Sequence, residues 1–332
     1  MNFRNARILV AGAGGFIGGH LVADLLRSGC SSIRAVDIKP PAQWHQRFVG
    51  VENMQLDLTE KSACAEASRG VTHIFNLAAD MGGMGYIETH KTACMLSVLI
   101  NTHLLLAARD CGAERFFYSS SACVYAADKQ TNTAVTPLKE SDAYPAMPED
   151  GYGWEKLFAE RMCHHFREDF GLETRIARFH NVYGPWGTYD GGREKAPAAI
   201  CRKVIAAKRG GQSEIEIWGD GRQTRSFMYI DDCLVGIDKI TNSDIPDPLN
   251  LGSDQLISID HLVDIVESIA DIKLRRVYNL AAPKGVRGRN SDNTQISQRL
   301  GWAPSIRMEA GMERTYAWIY DQMTGGSRRI SQ

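Results

Sequence analysis

The chain has 332 residues, of which 44% are hydrophobic, and its formal net charge is −1. This length suffices for one large α/β unit or two interlocked domains. The near-neutral charge gives no overall attraction to nucleic acid or to an anionic membrane, so neither is expected as a partner. The eight cysteines are scattered, without CxxC or metal-like Cys/His spacing, which predicts a reduced protein with no structural metal.

The beginning of the chain shows no targeting pattern. The first ten residues, MNFRNARILV, lack the apolar centre of a signal peptide and lead directly into a strand. In sequence, no apolar run approaches the roughly 20 residues needed to cross a bilayer. We therefore expect a cytoplasmic protein.

Residues 7–18, RILVAGAGGFIG, join an apolar strand to an amphipathic helix through a glycine-rich turn. Such a turn directs free N–H groups of the helix towards a ligand above it, which favours a diphosphate. The spacing differs from strict G-x-G-x-x-G because Ile17 occupies the position of the third glycine. The predicted cofactor contacts in this turn are Gly12, Gly15, Phe16, Ile17 and Gly18.

Two acidic residues follow at positions that suit an adenosine. An apolar run at 33–36 ends at Asp37, 19 residues after Gly18, where an acid would accept hydrogen bonds from the ribose. A carboxylate there repels a 2′-phosphate, so NAD is favoured over NADP, although Lys39 offsets part of that repulsion. Asp57, in the next short strand at 53–58, is a candidate neighbour of the adenine.

Strand and helix patterns alternate through the first half of the chain, which predicts an α/β fold with a Rossmann-type doubly wound parallel sheet. We expect residues 1–180 to form the NAD-binding domain, with segments around 225–255 returning to it. Residues 181–324 are expected to form mainly a smaller C-terminal substrate-binding lobe, and 325–332 a flexible tail. Further strands are predicted at 71–79, 115–118, 174–179, 215–218 and 225–229, and helices at about 90–111, 152–170, from 197 and at 259–269.

Tyr152 and Lys156 are four residues apart at the start of a predicted helix, so their side chains share one face. An ammonium beside a phenol, with a cationic nicotinamide above, lowers the phenol pKa and lets the tyrosine accept a proton from an alcohol. Ser121 would hydrogen-bond the same oxygen. By itself the pair is typical of an ordinary amphipathic helix; together with the glycine turn and the serine run it indicates catalysis.

Several motifs resemble those of the extended short-chain dehydrogenase/reductases, from residue 7 to about 302. They are GAGGFIG, the NLAA strand end, SSSACVY, Tyr152 with Lys156, RFHNVYGP and GDGRQTRSFMYIDD. The resemblance implies a Rossmann NAD domain and a smaller lobe for a nucleotide-linked sugar. Longer runs at 78–87, 119–125, 178–203 and 285–293 are similar to the GDP-mannose 3,5-epimerase family.

This narrower resemblance implies a reaction. Members of that family oxidise C4 of the sugar with bound NAD, epimerise C3 and C5, and reduce C4 again, which interconverts GDP-mannose with GDP-L-galactose or GDP-L-gulose. A C4 ketone acidifies the hydrogens on both neighbouring carbons, and inversion needs a base on one face and an acid on the other. Cys123, expected on the same strand face as Ser121, is the predicted base, and Lys195 the predicted acid. By composition alone they would be a small buried side chain and a solvated charge.

The resemblance also implies a set of substrate contacts. Arg225 and Arg289 suit a diphosphate because their fork-shaped donors make charge-assisted hydrogen bonds. The full expected set is Gly82, Ser121, Ala122, Cys123, Asn181, Glu194, Lys195, Ala196, Lys203, Gln223, Thr224, Arg225, Ser226 and Arg289.

A homodimer is expected from the resemblance more than from the sequence pattern. Two predicted helices carry apolar stripes that would contribute half of a four-helix interface. The alternative is that both stripes face the sheet. The stripe residues are Met95, Val98 and Leu99 on one helix and Trp154, Phe158 and Met162 on the other.

Three alternatives remain open at this point. A nucleotide-sugar 4-epimerase would need neither Cys123 nor Lys195. A 4,6-dehydratase of this superfamily typically carries an acidic residue beside the catalytic serine, where this chain has Ala122 and Cys123. A non-catalytic NAD-binding regulator is disfavoured because Ser121, Tyr152 and Lys156 are intact.

Overall fold

A computed structural model describes Phe3 and residues 5–325. The strands, in chain order, are β1 (Arg7–Ala11), β2 (Ser32–Asp37), β3 (Glu52–Gln55), β4 (His73–Asn76), β5 (Arg115–Ser121), β6 (Glu173–Phe179), β7 (Val182–Tyr183), β8 (Glu214–Trp218), β9 (Thr224–Ser226), β10 (Met228–Tyr229), β11 (Leu249–Leu251), β12 (Leu256–Ser258), β13 (Arg275–Asn279) and β14 (Gly288–Arg289). The α-helices are α1 (Phe16–Arg27), α2 (Lys61–Ala67), α3 (Met84–Thr89), α4 (Lys91–Asp110), α5 (Tyr152–Phe170), α6 (Ala196–Gly210), α7 (Ile230–Thr241), α8 (Ile259–Ala270), α9 (Thr294–Leu300) and α10 (Met308–Thr324).

Seven strands form a parallel sheet in the order β3-β2-β1-β4-β5-β6-β11. Helices cover both faces, so each strand of the centre is buried on two sides. In β1, Ile8 and Val10 enter the core beneath α1 and α7, whereas Leu9 and Ala11 enter the core beneath α2, α4 and α5. The predicted doubly wound α/β fold is confirmed.

The last strand of the sheet, β11, is supplied by a segment far along the chain. It pairs with β6 after the chain has already passed through β7 to β10. Asn250 in β11 donates to the carbonyl oxygens of Leu138 at 2.8 Å and Asp292 at 3.0 Å. The edge of the sheet is therefore tied to loops that lead into the second lobe.

The C-terminal lobe consists of small sheets and three packed helices. Strand β9 pairs antiparallel with β12 and parallel with β14, and β8 pairs parallel with β13. Helices α6, α8 and α10 pack on one another around the buried residues Val204, Val266 and Met312. Their core is continuous with the core beneath α1 and α7, so the two lobes share one apolar interior.

The predicted elements agree with the structure best where the pattern is long. Helix α5 has the predicted bounds, whereas the strand expected at 71–79 shortens to β4 because the residues after Asn76 turn into the site. The strand expected at 225–229 divides at Phe227 into β9 and β10. Helices α2, α3, α9 and α10 and strands β7, β12, β13 and β14 were not predicted. Gly325 ends α10 in a left-handed conformation, and the rest of the predicted tail lies outside the described residues.

Helix α4 corrects one expectation about membranes. Within Phe3 and residues 5–325 it is the one helix long and apolar enough, by length and composition, to cross a bilayer. Core helices pass the same test, and α4 packs against α2, α5 and β4 with Leu104 and Leu105 fully buried. Length and composition therefore do not by themselves assign this helix to a membrane.

Candidate active site

A single cavity of about 1050 Å³ extends from the glycine turn, across the carboxyl ends of the sheet strands, into the C-terminal lobe. Open α/β sheets bind ligands at this edge. The predicted site residues that line it are Gly12, Gly15, Phe16, Ile17, Gly18, Asp37, Asp57, Gly82, Ser121, Ala122, Cys123, Tyr152, Lys156, Asn181, Glu194, Lys195, Ala196, Lys203, Gln223, Arg225 and Arg289.

Thr224 and Ser226 are the two expected substrate contacts whose side chains face away from this cavity. The hydroxyl of Thr224 donates to the carbonyl oxygen of Thr133 at 2.5 Å, and Ser226 is fully buried. Neighbouring side chains in a strand point to opposite faces, so β9 presents Arg225 to the cavity and turns these two away. The contiguous run implied by the resemblance ignored this alternation.

The glycine turn between β1 and α1 leaves room for a diphosphate. Gly12 has a φ of +83°, which a side chain would strain, and a Cβ at Gly18 would collide with the carbonyl oxygen of Gly12. Gly15 precedes α1 without a side-chain cap, so the first N–H groups of that helix remain available to a ligand. These residues fit the pyrophosphate of a dinucleotide.

Asp37 and Asp57 lie at the adenosine end of the cavity. Asp37 is buried at the end of β2, and its Oδ1 accepts from the N–H of Lys39 at 3.0 Å. The ammonium of Lys39 donates to the carbonyl oxygen of Gly14 at 2.7 Å, so it is held against the glycine turn. The Oδ1 of Asp57 accepts from the backbone N–H and the hydroxyl of Thr59 at 2.9 and 2.7 Å. The two carboxylates are thus fixed by their own loops.

Ser121, Tyr152 and Lys156 meet where β5 ends and α5 begins. Tyr152 and Ser121 share a hydrogen bond, and the Lys156 ammonium lies 5.5 Å from the centroid of the Tyr152 ring. Lys156 donates to the carbonyl oxygen of Ser119 at 3.1 Å and lies 3.8 Å from the carboxylate of Glu155. The triad predicted from spacing is therefore assembled in space.

The expectation that the pKa of Tyr152 would be lowered is not met by the chain alone. Burial raises the pKa of Tyr152 well above its ordinary value, and Cys123 and Glu155 add to the rise, while the hydrogen bond from Ser121 opposes it. Desolvation disfavours the phenolate more strongly than these neighbours favour it. Tyr152 therefore holds its proton until further positive charge is placed beside it.

Cys123 reaches the cavity by a route different from the one predicted. Strand β5 ends at Ser121, and Cys123 lies in a 3₁₀ turn formed by Ala122–Val124. The Oγ of Ser121 caps this turn by accepting from the N–H of Cys123 at 3.2 Å. Strand alternation therefore does not apply to the pair, and the turn brings both side chains to the cavity.

The loop that carries Lys195 is fixed by close backbone contact with the glycines after β4. The N–H of Gly83 donates to the carbonyl oxygen of Arg193 at 3.0 Å, and a Cβ at Gly83 would collide with the carbonyl oxygen of Glu194. Only a glycine permits this approach. The two glycines at 82 and 83 thereby set the position at which Lys195 enters the cavity.

Lys195 itself is a desolvated lysine. Burial lowers the pKa of Lys195 below its ordinary value, while the nearby thiols of Cys123 and Cys233 oppose the change. Within the described part of the chain, no hydrogen-bond acceptor holds its ammonium. A lysine in this condition gives up its proton more readily than one in water, which is the property required of a group that both donates and accepts protons.

Arg193 holds the same loop to the end of β4 and was not predicted from sequence. Its guanidinium bonds the carboxylate of Asp80 at 2.6 Å and stacks 3.8 Å from the centroid of the Tyr86 ring. The hydroxyl of Tyr86 donates to the same carboxylate at 3.0 Å. Asp80 and Arg193 are 113 positions apart, so no local spacing could have indicated the pair.

Two buried arginines line the cavity near Cys123. The guanidinium of Arg225 donates to the carbonyl oxygens of Thr224, Lys284 and Val286 at 2.8, 3.1 and 2.6 Å, and burial lowers the pKa of Arg225 to about 10. Arg289 is only 4% exposed, and its Nη1 donates to the sulfur of Cys123 at 3.6 Å. The second arginine therefore faces the thiol.

One group of potential metal ligands occurs among the described residues, on the outer surface of α5. The Nε2 of His164 and the Nδ1 of His165 lie 3.0 and 2.8 Å from the carboxylate of Glu168. Arg167 and Arg161 donate to the second ring nitrogen of His164 and His165 respectively, each at 3.1 Å. The ring protons therefore lie on the nitrogens that face Glu168, and a metal would need free lone pairs on those nitrogens. The arrangement is that of a hydrogen-bonded surface cluster.

A parallel sheet of this order, a dinucleotide turn, and a serine–tyrosine–lysine group beside it define an NAD-dependent class of enzyme acting on an alcohol carbon. The chain belongs to the NAD dependent epimerase/dehydratase family, which matches residues 8–252.

Two plant proteins are similar over nearly the whole chain. GDP-mannose 3,5-epimerase 1 of Oryza sativa subsp. japonica is 47% identical over 318 residues, covering 96% of this chain and 82% of the relative. GDP-mannose 3,5-epimerase of Arabidopsis thaliana is 46% identical over 320 residues, covering 96% and 83%. Among solved structures, UDP-glucose 4-epimerase of Thermotoga maritima with UDP-glucose has a TM-score of 0.84 at 22% identity, covering 95% of this chain and 99% of that one, a likeness of fold.

Proposed function

We propose that the protein catalyses the 3,5-epimerisation of GDP-mannose with bound NAD. The observation that carries this proposal is that Cys123 and Lys195 line the same cavity as Ser121, Tyr152 and Lys156. A simple 4-epimerase needs only the last three. The similarity to the two plant enzymes over 96% of the chain supports the choice of substrate.

The first and last steps require proton transfer at the C4 oxygen. When bound, NAD supplies reversible hydride acceptance from C4. Tyr152 takes the hydroxyl proton during oxidation and returns it during reduction, because Ser121 hydrogen-bonds its phenol and Lys156 lies beside its ring. The positive charge of the bound cofactor would lower the raised pKa of Tyr152. The same residue therefore serves both directions.

The middle steps require proton transfer at C3 and C5. The C4 ketone stabilises an enolate after loss of either neighbouring proton. Cys123 removes the proton as a thiolate, favoured by Arg289 at 3.6 Å, and the desolvated Lys195 delivers a proton to the other face. Each inversion leaves the thiol protonated and the amine neutral, so both groups exchange protons with solvent before the other carbon is inverted, and the donor set requires no metal.

Deuterium exchange tests the proposed reaction directly. Incubation of the NAD-loaded protein with GDP-mannose in heavy water should incorporate deuterium at C3 and C5, detected by NMR and mass spectrometry, and yield GDP-L-galactose or GDP-L-gulose. Tyr152→Phe should prevent exchange at both carbons. Epimerisation at C4 without exchange at C3 or C5 would contradict the proposal and favour a 4-epimerase.

We also propose that the protein is a cytoplasmic homodimer. All eight cysteines are free, which supports a reducing compartment. An apolar face on the packed helices α4 and α5 supports self-association, because several large exposed apolar side chains on neighbouring helices are typical of a protein interface. It comprises Met95 (47% exposed), Leu96 (52%), Leu99 (37%), Trp154 (43%) and Phe158 (52%), and is called the α4–α5 face below.

A further inference from the structure

Glu149 is a charged residue beside the site that the proposed reaction does not use. It lies in the loop before α5, with only 12% of its side chain exposed, and its carboxylate forms an ion pair with Arg289. Its N–H donates to the carbonyl oxygen of Cys123 at 3.0 Å. Glu149 is therefore fixed both to the backbone of the thiol residue and to the guanidinium that faces the thiol.

Arg289 is held in one orientation by three groups. Its Nε donates to the Oε1 of Gln130 at 2.7 Å, its Nη2 to Glu149, and its Nη1 to the sulfur of Cys123 at 3.6 Å. Gln130 is fully buried and Arg289 is 4% exposed. The guanidinium cannot leave Cys123 for another partner without breaking the bonds to Gln130 and Glu149.

The carboxylate of Glu149 has an unusual balance of partners. Its Oε2 is buried without a hydrogen-bond partner among the described residues, and Arg289 is its ionic partner there. A buried carboxylate oxygen without a donor is costly. The negative charge of Glu149 therefore interacts mainly with Arg289, and it reduces the positive potential that the guanidinium produces at the sulfur of Cys123.

We propose that Glu149 is a positioning residue for the inversion steps: it fixes Arg289 against Cys123 and, by neutralising part of its charge, sets the proton affinity of the thiol. The thiolate that removes a proton from carbon must release that proton before it can act again, so neither protonation state of Cys123 can be strongly favoured. An arginine whose charge is unopposed would stabilise the thiolate more strongly than one whose charge is partly compensated by a carboxylate. This inference rests on the proposed function for Cys123.

Other charged and titratable groups also lie near the thiol of Cys123, and their contacts must stay unchanged in the variants that test this proposal. Tyr152 and Lys195 interact with it electrostatically from α5 and from the residue before α6, and Arg225 does so from β9. Cys94 of α4 packs in the same apolar cluster. None of these groups is bonded to Glu149, so a substitution at Glu149 leaves their contacts in place.

The test is the pH dependence of Cys123 alkylation by iodoacetamide in the NAD-saturated protein, followed by mass spectrometry of the peptide that contains residue 123. Glu149→Gln keeps a hydrogen-bond acceptor for Arg289 but removes the charge. The midpoint is the pH at which alkylation of Cys123 reaches half of its maximal rate. It should fall by about one pH unit, because the positive charge of Arg289 is no longer compensated by a carboxylate. Arg289→Gln should move the midpoint in the opposite direction.

Asp150→Asn is the matched control, because Asp150 is the next residue, is 72% exposed in its side chain and pairs with Lys91 away from the thiol. It should leave the midpoint unchanged. An unaltered midpoint in Glu149→Gln, at wild-type melting temperature and NAD content, would overturn the inference. The assay contains no sugar substrate, so its result is independent of whether the protein epimerises GDP-mannose.

Discussion

Lys195 is a partly buried lysine whose ammonium has no hydrogen-bond acceptor among the described residues. The unfolded chain binds the lysine proton with the ordinary pKa of 10.5, whereas burial lowers that pKa in the folded protein. The folded state therefore loses stability below its lowered pKa, and regains it as the pH rises towards 10.5. The proton donor of the proposed reaction is held at the expense of stability.

Lys195→Met is expected to separate stability from activity. At pH 7 the free energy of unfolding should rise, because methionine has no charge to desolvate at this partly buried site, and the gain should shrink above pH 10. Epimerisation should fall by about 100-fold or more. Denaturant unfolding at several pH values and product assays measure both effects. Lys61→Met, at an exposed lysine of α2, should change neither, and a destabilised Lys195→Met would contradict the argument.

Cys123→Ala isolates the thiol from the oxidation chemistry. The side chain is small and buried in a capped turn, so its loss should leave the fold and NAD binding intact. Deuterium exchange at C3 and C5 should disappear, because none of the other seven cysteines lines the cavity. Full exchange activity in this variant, with normal NAD content, would remove Cys123 from the mechanism.

At the scale of elements, α5 serves two purposes on opposite faces. Its buried face carries Tyr152 and Lys156 into the cavity, and its exposed face carries Trp154 and Phe158 outward. The alternative that both predicted stripes face the sheet is thus excluded for these two aromatic residues. Association through the α4–α5 face would stiffen the helix that positions the proton-transfer residues.

Phe158→Glu tests whether the α4–α5 face is an interface. Burying a charge in an apolar contact is costly, so the variant should be a monomer where the wild-type protein is a dimer, as measured by light scattering after size-exclusion chromatography. Val235→Glu on α7, at a valine that is 50% exposed on the other side of the sheet, is the control and should remain dimeric. An unchanged mass for Phe158→Glu would contradict the proposed interface.

Elements with a strong period were predictable, and departures from regularity were not. The four-residue spacing of Tyr152 and Lys156 fixes their common helix face from sequence alone. The 3₁₀ turn at Cys123 is capped by the hydroxyl of Ser121, a contact that no periodicity reveals. The division of the 225–229 run at Phe227 is likewise a tertiary effect, because β9 and β10 join different sheets.

Across the whole molecule, a buried polar network joins the elements beneath the catalytic residues. Arg178 of β6 bonds both carboxylate oxygens of Glu160 on α5 at 2.9 and 2.7 Å, with each side chain 3% exposed. Ser120 of β5 donates to the same carboxylate at 2.5 Å. Tyr125 extends the network to Asn250, and burial lowers the pKa of the adjoining His180 to about 4, so that it is neutral.

Arg178→Met should destabilise the protein by about 3–5 kcal/mol, because it leaves the Glu160 carboxylate buried without a counter-charge. Arg275→Met, at an exposed pair with Glu214, should cost about 1 kcal/mol or less. Urea unfolding followed by circular dichroism compares the two. Equal losses would show that the buried pair has no special role.

The candidate catalytic residues could be identified from the sequence, but the contacts that support them could not. Ser121, Tyr152 and Lys156 are recognisable because local elements place them, and Cys123 and Lys195 because long motifs resemble a known family. Contacts such as Arg193 with Asp80 or Arg289 with Glu149 join positions 113 and 140 residues apart. Their existence depends on how loops from different elements meet, which a single sequence does not encode in any local pattern.

Strand β11 comes from a segment about 70 residues after β6, and this has a consequence for truncated forms of the protein. Asn250 is the acceptor for Tyr125 and for His180, and it satisfies the carbonyl of Leu138. A shortened product that stopped between the two lobes, near residue 181, would include every predicted cofactor contact yet leave those buried groups without partners. We therefore expect the first 181 residues to be unstable as a separate fragment, because those buried groups acquire their partners only when β11 joins the sheet.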